Sequence, residues 1–313
     1  MTSLGRPYAA IAQRFAALPG NTRGLIWMAF ASLAFVAMIM LVRQMSKGYN
    51  IGELAFWRAF MGLVLTAPMW LRLGRTLVRN ERMGLHAFRN LMHFIAVVCW
   101  FYAVANMNLS VGMALQFTIP LLVIVMAIFV LGEKVDAARW FATAAGFVGV
   151  LVILRPGAVP LTAAAALCMI SAVGYAASNV STKVLMRTST GDTVVFWMNL
   201  MHIPLCIALA LALTGLNVPP LHDLPFLAGI GFAGSLAHWL MARSFHAANA
   251  SVVMIVDFTK LPLVALGAFV FFGEVPDVWA WIGGAIIIAA TYYVFRRDAR
   301  AAKRQKTEGA AAG

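Results

Sequence analysis

Gly132-Glu133-x-x-Asp136-x-x-x-Trp140 and Gly273-Glu274-x-x-Asp277-x-x-x-Trp281 are one pattern written twice, about 141 residues apart. Moving outward from it, the register holds without a gap. Ser110-Val111-x-Met113 falls on Ser251-Val252-x-Met254, Phe117-Thr118 on Phe258-Thr259, and Leu122-Val123 on Leu263-Val264. At nearly the same shift Phe56-Trp57 falls on Phe196-Trp197. Apolar composition scatters chance Leu and Val matches along any membrane chain, but it does not set a glycine, two acids and a tryptophan in register. The chain reads as two copies of one unit.

That unit belongs in a membrane. Hydrophobic residues make up 62% of the chain and charged residues 11%, whereas soluble domains run at about 45–50% and about 25%. Apolar runs of about twenty residues, each long enough to cross roughly 30 Å of hydrocarbon, begin near Gly24, Gly52, Leu85, Leu109, Trp140, Thr162, Thr193, Leu224, Ala250 and Val278. Asn21 and Thr22 are the expected caps of the first. That run, Gly24 to Val42, is too long for a cleaved signal segment and lacks a small-x-small exit, so it reads as a retained helix. Cys99, Cys168 and Cys206 all fall inside apolar runs and read as small hydrophobes.

Orientation follows from charge. With the N-terminus inside, the inner side collects the cations of residues 6–23, 72–89, 134–139, 183–187, Arg243 and the tail, and the outer side keeps Arg43, Lys47 and Arg155. The ratio, roughly nineteen to three, is the one the positive-inside rule calls for. The net charge of +13 is therefore juxtamembrane charge that meets lipid headgroups, not a nucleic-acid face. Five spans per unit is an odd number, so the second copy is threaded upside down. The loops agree: Glu133 to Arg139 carries two cations and Glu274 to Ala280 none. The expected organisation is a cytoplasmic segment 1–23, a first repeat 24–157, a second repeat 158–295 and a basic cytoplasmic tail 296–313. The fold class is an all-α membrane protein, ten transmembrane helices in two inverted five-helix repeats, multi-pass in the cell inner membrane.

Phe56-Trp57-Arg58 in the second span, the Gly-Glu closing the fourth and ninth, and Val150 to Gly157 at the end of the first half resemble the drug/metabolite transporter superfamily, EamA type. The resemblance covers roughly Gly24 to Phe295. It implies the ten-helix inverted repeat, a central cavity, and export or uptake of amino acids, metabolites or drugs. Met198 stands where the second copy would repeat Arg58, so that arginine is not a symmetric scaffold feature.

Candidate site residues are the polar ones inside the spans. An ionisable group at helix centre costs about 2.5–3.5 kcal/mol, so Arg58, Asp257 and Lys260 must face protein or a wet cavity. Asp257 and Lys260 lie at i, i+3 on one helix face. They form either a structural ion pair or a ligand for a charged or zwitterionic solute. Arg58 could snorkel as scaffold or touch substrate. Gln116 aligns with Asp257, and Pro120 and Pro262 interrupt the same two helices, freeing the carbonyls of Gln116 and Phe258. His238 with Trp239, His93 with Trp100 and Phe101, Tyr175 with Asn179, and Asn199 with His202 are further inward-facing candidates or packing material. Glu133 and Glu274 suit capping at helix ends. Gly146 with Val150, and Gly283-Gly284, suit close helix packing or a homodimer face.

No metalloprotease, hydrolase or P-loop motif occurs, so no catalytic residue, cofactor or metal ligand is assigned. The reading is a secondary transporter, by alternating access, of a small molecule of amino-acid-like or other amphipathic, zwitterionic character, as exporter or exchanger. Uptake of a nucleoside-like metabolite, a passive channel, a non-transporting assembly partner and a membrane-embedded enzyme are the competitors. Alkaline phosphatase and fluorescent-protein fusions to residue 313 test the topology. The fluorescent fusion should be active and the phosphatase silent; an active phosphatase would put the tail outside.

Overall fold

Ten helices run back and forth in the computed structural model, which describes residues 15–74, 82–107, 109–116, 118–133, 136–154 and 162–273, and in the last helix 278–279, 281–286, 288–290, 292–293, 296–297 and 300. They are α1 Gly20–Met45, α2 Ile51–Leu73, α3 Met83–Asn106, α4 in the pieces Leu109–Gln116 and Thr118–Leu131, α5 Ala137–Leu154, α6 Ala163–Leu185, α7 Gly191–Leu213, α8 Leu224–Ala247, α9 in the pieces Ala250–Asp257 and Lys260–Phe272, and α10 across Trp281–Ala290. Residues 1–14 and 155–161, Glu274, Asp277 and the tail beyond 300 lie outside the described residues. Six of the helices are long and apolar enough to cross a bilayer by composition alone. α2 is as long as those, but carries Glu53, Arg58 and Arg72. Phe129, Phe141, Phe271 and Trp281 point outward and exposed, as lipid-facing side chains do.

The packing obeys the repeat. α1 packs most extensively on α8, and α3 on α6, which are the same pairing seen from the two copies; α2 packs on α7, its own counterpart. The two repeats interleave, so neither is a free-standing body. Helix ends repeat the relation. Arg43 closes the end of α3, its Nη1 donating to the carbonyls of Val104 and Met107 at 2.5 and 3.1 Å. At the equivalent place in the second copy Lys183 Nζ donates to Phe245 and Ala248 carbonyls at 2.6 and 2.5 Å, closing α8. Lys183 lies where α6 ends, beside the start of α1, and Arg43 lies where α1 ends, so the paired cations cap opposite faces of one inverted architecture.

The repeated Gly-Glu has a mechanical reason. Gly132 and Gly273 end α4 and α9 with φ of +66° and +67°, a left-handed turn that a side chain resists. Glu133 then reaches across the repeat boundary, where its Oε1 accepts the N–H of Ala250 at 2.8 Å and caps α9. At the other face Glu53 accepts from the Asn50 N–H in a capping box, and from Asn217 N and Nδ2 at 2.8 and 2.9 Å. Asp136 and Arg297 pair bidentately at 2.9 and 2.6 Å, tying the start of α5 to α10.

Two local expectations change. α1 begins at Gly20 behind Pro19, with no side-chain cap, so Asn21 and Thr22 sit inside its first turn. Arg89 is not a juxtamembrane charge: it is 1% exposed, its Nε donating to Thr182 Oγ1 at 3.2 Å and Nη1 to Asn90 Oδ1 at 2.8 Å. Gly146 lies under the Phe258 ring and Gly284 against Pro262, the close packing expected of small residues there.

Close crossings carry glycines where any Cβ would collide with backbone. At Gly231 of α8 it would stand 2.6 Å from the Gly62 nitrogen of α2. Gly231→Leu should therefore push α2 from α8, cost about 1–3 kcal/mol, and lower the unfolding temperature of the purified protein. Gly48→Ala, with nothing within 4 Å of the new methyl, should leave it unchanged. Equal unfolding temperatures for both variants would contradict this packing.

Candidate functional site

α9 breaks in the middle of the bundle because Pro262 has no N–H to give the Phe258 carbonyl. That carbonyl turns to Leu261 N at 3.3 Å, and Thr259 N turns to Val256 O at 2.9 Å, one tight turn joining the two pieces. Asp257 and Lys260 flank this turn and form a direct ion pair. Lys260 Nζ also lies 4.1 Å over the Phe35 ring of α1, a cation–π contact. Pro120 places α4 in the same relation, and Gln116 Nε2 donates from there to Ser171 Oγ and the Cys168 carbonyl of α6 at 2.5 and 3.2 Å.

These side chains wall a central cavity of about 80 Å³, room for roughly half a dozen waters. Arg58, Gln116, Tyr175, Asn179, His238, Asp257 and Lys260 all line it. The sequence reading missed the apolar half of the wall, although the repeat points to it. A shift of about 140 residues carries Phe35 onto Tyr175, Ile39 onto Asn179, Val97 onto His238 and Ile119 onto Lys260, and all eight are lining residues. In each of those pairs the first copy supplies an apolar side chain and the second a polar one. Trp100 and Met241 are a further pair on the wall. The cavity wall is therefore amphipathic: its apolar side chains come mostly from the first repeat, and its polar ones from both, Arg58 and Gln116 from the first and Tyr175, Asn179, His238, Asp257 and Lys260 from the second. The Tyr175 hydroxyl and the Asn179 carboxamide make no intrachain hydrogen bond among the described residues, so both face the cavity unused.

Asn199 and Trp239 are not on the wall. Asn199 is buried between α7 and α8, its Nδ2 donating to Ser235 Oγ at 3.0 Å beside Gly62. Trp239 follows His238 by one residue, a turn of about 100° around the helix, and points elsewhere. Its indole N–H donates to Asp192 Oδ1 at 2.7 Å, and Arg243 stacks 4.3 Å from its ring.

Behind the wall stand three imidazoles. His238 Nδ1 donates to the Gly234 carbonyl at 2.7 Å, so its Nε2, 2.7 Å from His93 Nε2, accepts that ring's proton. His93 stacks on His202 with ring centres 5.1 Å apart, and His202 Nε2 donates to the Asn90 carbonyl at 3.1 Å. The three come from α3, α7 and α8, and hold those helices together through a network of neutral rings.

The geometry is that of a small central cavity walled by both repeats, and likeness to known proteins says what kind of protein holds it. The profile of the EamA-like transporter family matches residues 22–155 and again 162–296. A riboflavin transporter of Rhizobium johnstonii is 32% identical, the alignment covering 88% of this chain and 92% of that one. An S-adenosylmethionine uptake transporter of Rickettsia bellii is 23% identical over 92% of this chain and 99% of its own. A solved crystal structure superposes with a TM-score of 0.66 over 86% of this chain and 97% of its own at 18% identity, a likeness that speaks to fold alone. Twin helical repeats around a central cavity, with the family profile matching both, make this chain a multi-pass membrane transporter belonging to the EamA-like transporter family.

Proposed function

We propose that the chain is a secondary transporter, working by alternating access in the bacterial inner membrane with both termini in the cytoplasm, that carries a planar nitrogen heterocycle of the riboflavin kind. The amphipathic wall carries this reading. A flat ring system bearing carbonyl and imide groups along one edge suits a wall that offers Phe35, Trp100 and Ile39 for stacking and Tyr175 and Asn179 for hydrogen bonding. Riboflavin and S-adenosylmethionine, named for two of the relatives, both join a nitrogen heterocycle to a polar chain. The cavity as it stands is smaller than the roughly 300 Å³ a vitamin-sized solute requires. Loading therefore needs the bundle to open, as rocking of one repeat against the other provides.

An amino-acid-like passenger is the second reading, and the observation in its favour is that Asp257 and Lys260 reach the cavity. Against it, the two charges already neutralise each other, and the ammonium is covered by Phe35. The pair reads better as one that holds the broken turn of α9.

Proteoliposomes loaded with unlabelled riboflavin test the first reading. They should accumulate labelled riboflavin by counterflow, and Tyr175→Ala or Trp100→Ala should cut the rate at least tenfold. Labelled alanine or lysine exchanging where riboflavin does not would favour the second. The role of the ion pair is tested by thermal unfolding. Lys260→Ala should cost about 3–5 kcal/mol by leaving a buried carboxylate alone, and Asp257→Asn with Lys260→Met should recover most of it. No loss in the single variant would mean the pair is not structural.

A further inference from the structure

Arg58 is 1% exposed, lies on the wall of the central cavity, and has no oxygen partner among the described residues. Its Nη2 comes within 3.9 Å of the Met198 sulfur and 3.5 Å of His238 Nδ1, and Nε and Nη1 have no acceptor among the described residues. The His238 contact offers no lone pair, because that nitrogen already gives its proton to Gly234 O at 2.7 Å. Arg89, the other buried guanidinium, is held by Thr182 and Asn90. Asp257, the carboxylate on the cavity wall, is held by Lys260.

So the wall carries, on Arg58, a positive charge that no carboxylate among the described residues balances, with Nε and Nη1 sealed from water. A buried guanidinium is costly, and an acceptor of opposite charge offsets that cost. Arg89 is buried among neutral partners, but it does not line the cavity. Met198, at the matching place in the second copy, has no such charge, so the requirement is one-sided.

We propose that Arg58 is an anion receptor in the central cavity: a carboxylate or phosphate borne by the passenger, or a small free anion entering beside a neutral passenger, docks on its guanidinium when the bundle opens during transport. This rests on the cavity being the passage proposed above, but not on the passenger being a flavin. Anions of either source are strong partners for the guanidinium fork.

The test uses full-length protein in lipid nanodiscs, in a low-salt zwitterionic buffer free of added carboxylate, phosphate and halide. Riboflavin and riboflavin 5′-phosphate are titrated by calorimetry, each with and without chloride, and chloride and inorganic phosphate are also followed alone by thermal unfolding. A wild-type preference of tenfold or more for the phosphorylated flavin identifies the passenger's own anion. A tenfold chloride requirement for riboflavin identifies a free one. Either gap should vanish in Arg58→Gln and persist in part in Arg58→Lys. In that buffer alone, Arg58→Gln should unfold at a higher temperature than wild type, because it removes an unbalanced charge; a merely structural arginine would move the temperature down.

If neither flavin binds, but chloride or phosphate still stabilises wild type and not Arg58→Gln, the receptor stands and the riboflavin-type reading falls. If riboflavin binds with neither a phosphate nor a chloride effect, or Arg58→Gln keeps the gap, the receptor is overturned and the transport reading survives.

Discussion

Hydrocarbon supplies no hydrogen bonds and almost no dielectric screening, so each polar group at mid-bilayer has to find its partner in protein or in an enclosed wet space. The middle of this molecule is arranged by that requirement. A proline in α9 opens the backbone, and an Asp–Lys pair closes around the opening. Two imidazoles of α3 and α8 hydrogen-bond to each other, a third from α7 stacks on the first and bonds to the Asn90 carbonyl, and a glutamine binds α4 to α6. What these partners leave over is a cavity edged by Arg58, Tyr175 and Asn179 with donors and acceptors still unused. In a soluble core such leftovers would be faults. In a bilayer they mark the place where a solute is expected.

Inverted duplication explains how the leftovers come to face one another. Two copies related by a two-fold axis in the membrane plane bring equivalent helix positions to the same depth, so a position that lines the cavity in one copy has a counterpart lining it in the other. Phe35 with Tyr175, and Val97 with His238, show equivalent positions carrying different chemistry while the frame stays symmetric. The frame itself is fixed at its rims. Arg43 and Lys183 close equivalent helices at opposite faces, and Glu133 and Glu53 bond to backbone of the other repeat. Rims tied in this way leave the centre, with its broken helix, as the place with freedom to rearrange.

The spans, the duplication and the membrane setting were legible because they rest on periodic, redundant signals: ten apolar runs, one registered motif, and a charge bias spread over many loops. The site was legible in part. Polar residues inside apolar runs stand out, and seven of those singled out, together with Trp100, share the cavity. Rotation about a helix was the main thing hidden. His238 and Trp239 are neighbours in sequence and face different ways, and nothing in the local pattern says that Asn199 turns to Ser235. Long-range partners were hidden too. An isolated Arg43 or Arg89 reads as loop charge until the helix it closes, or the amide it bonds, is brought beside it. Carrying each polar candidate through the repeat would have found Phe35, Ile39, Val97 and Ile119.

At the centre of this account is an enclosed polar space, reached in turn from the two water phases and walled by both repeats. The most direct measurement is the reactivity of a cysteine at Asn179, introduced as Asn179→Cys, in oriented membranes. Membrane-impermeant thiol reagents would be added to one side at a time, with and without saturating solute. The account predicts modification from each side, slowed in both cases by bound solute. A cysteine that reacts only with a lipid-soluble reagent, and from neither aqueous side, would contradict it.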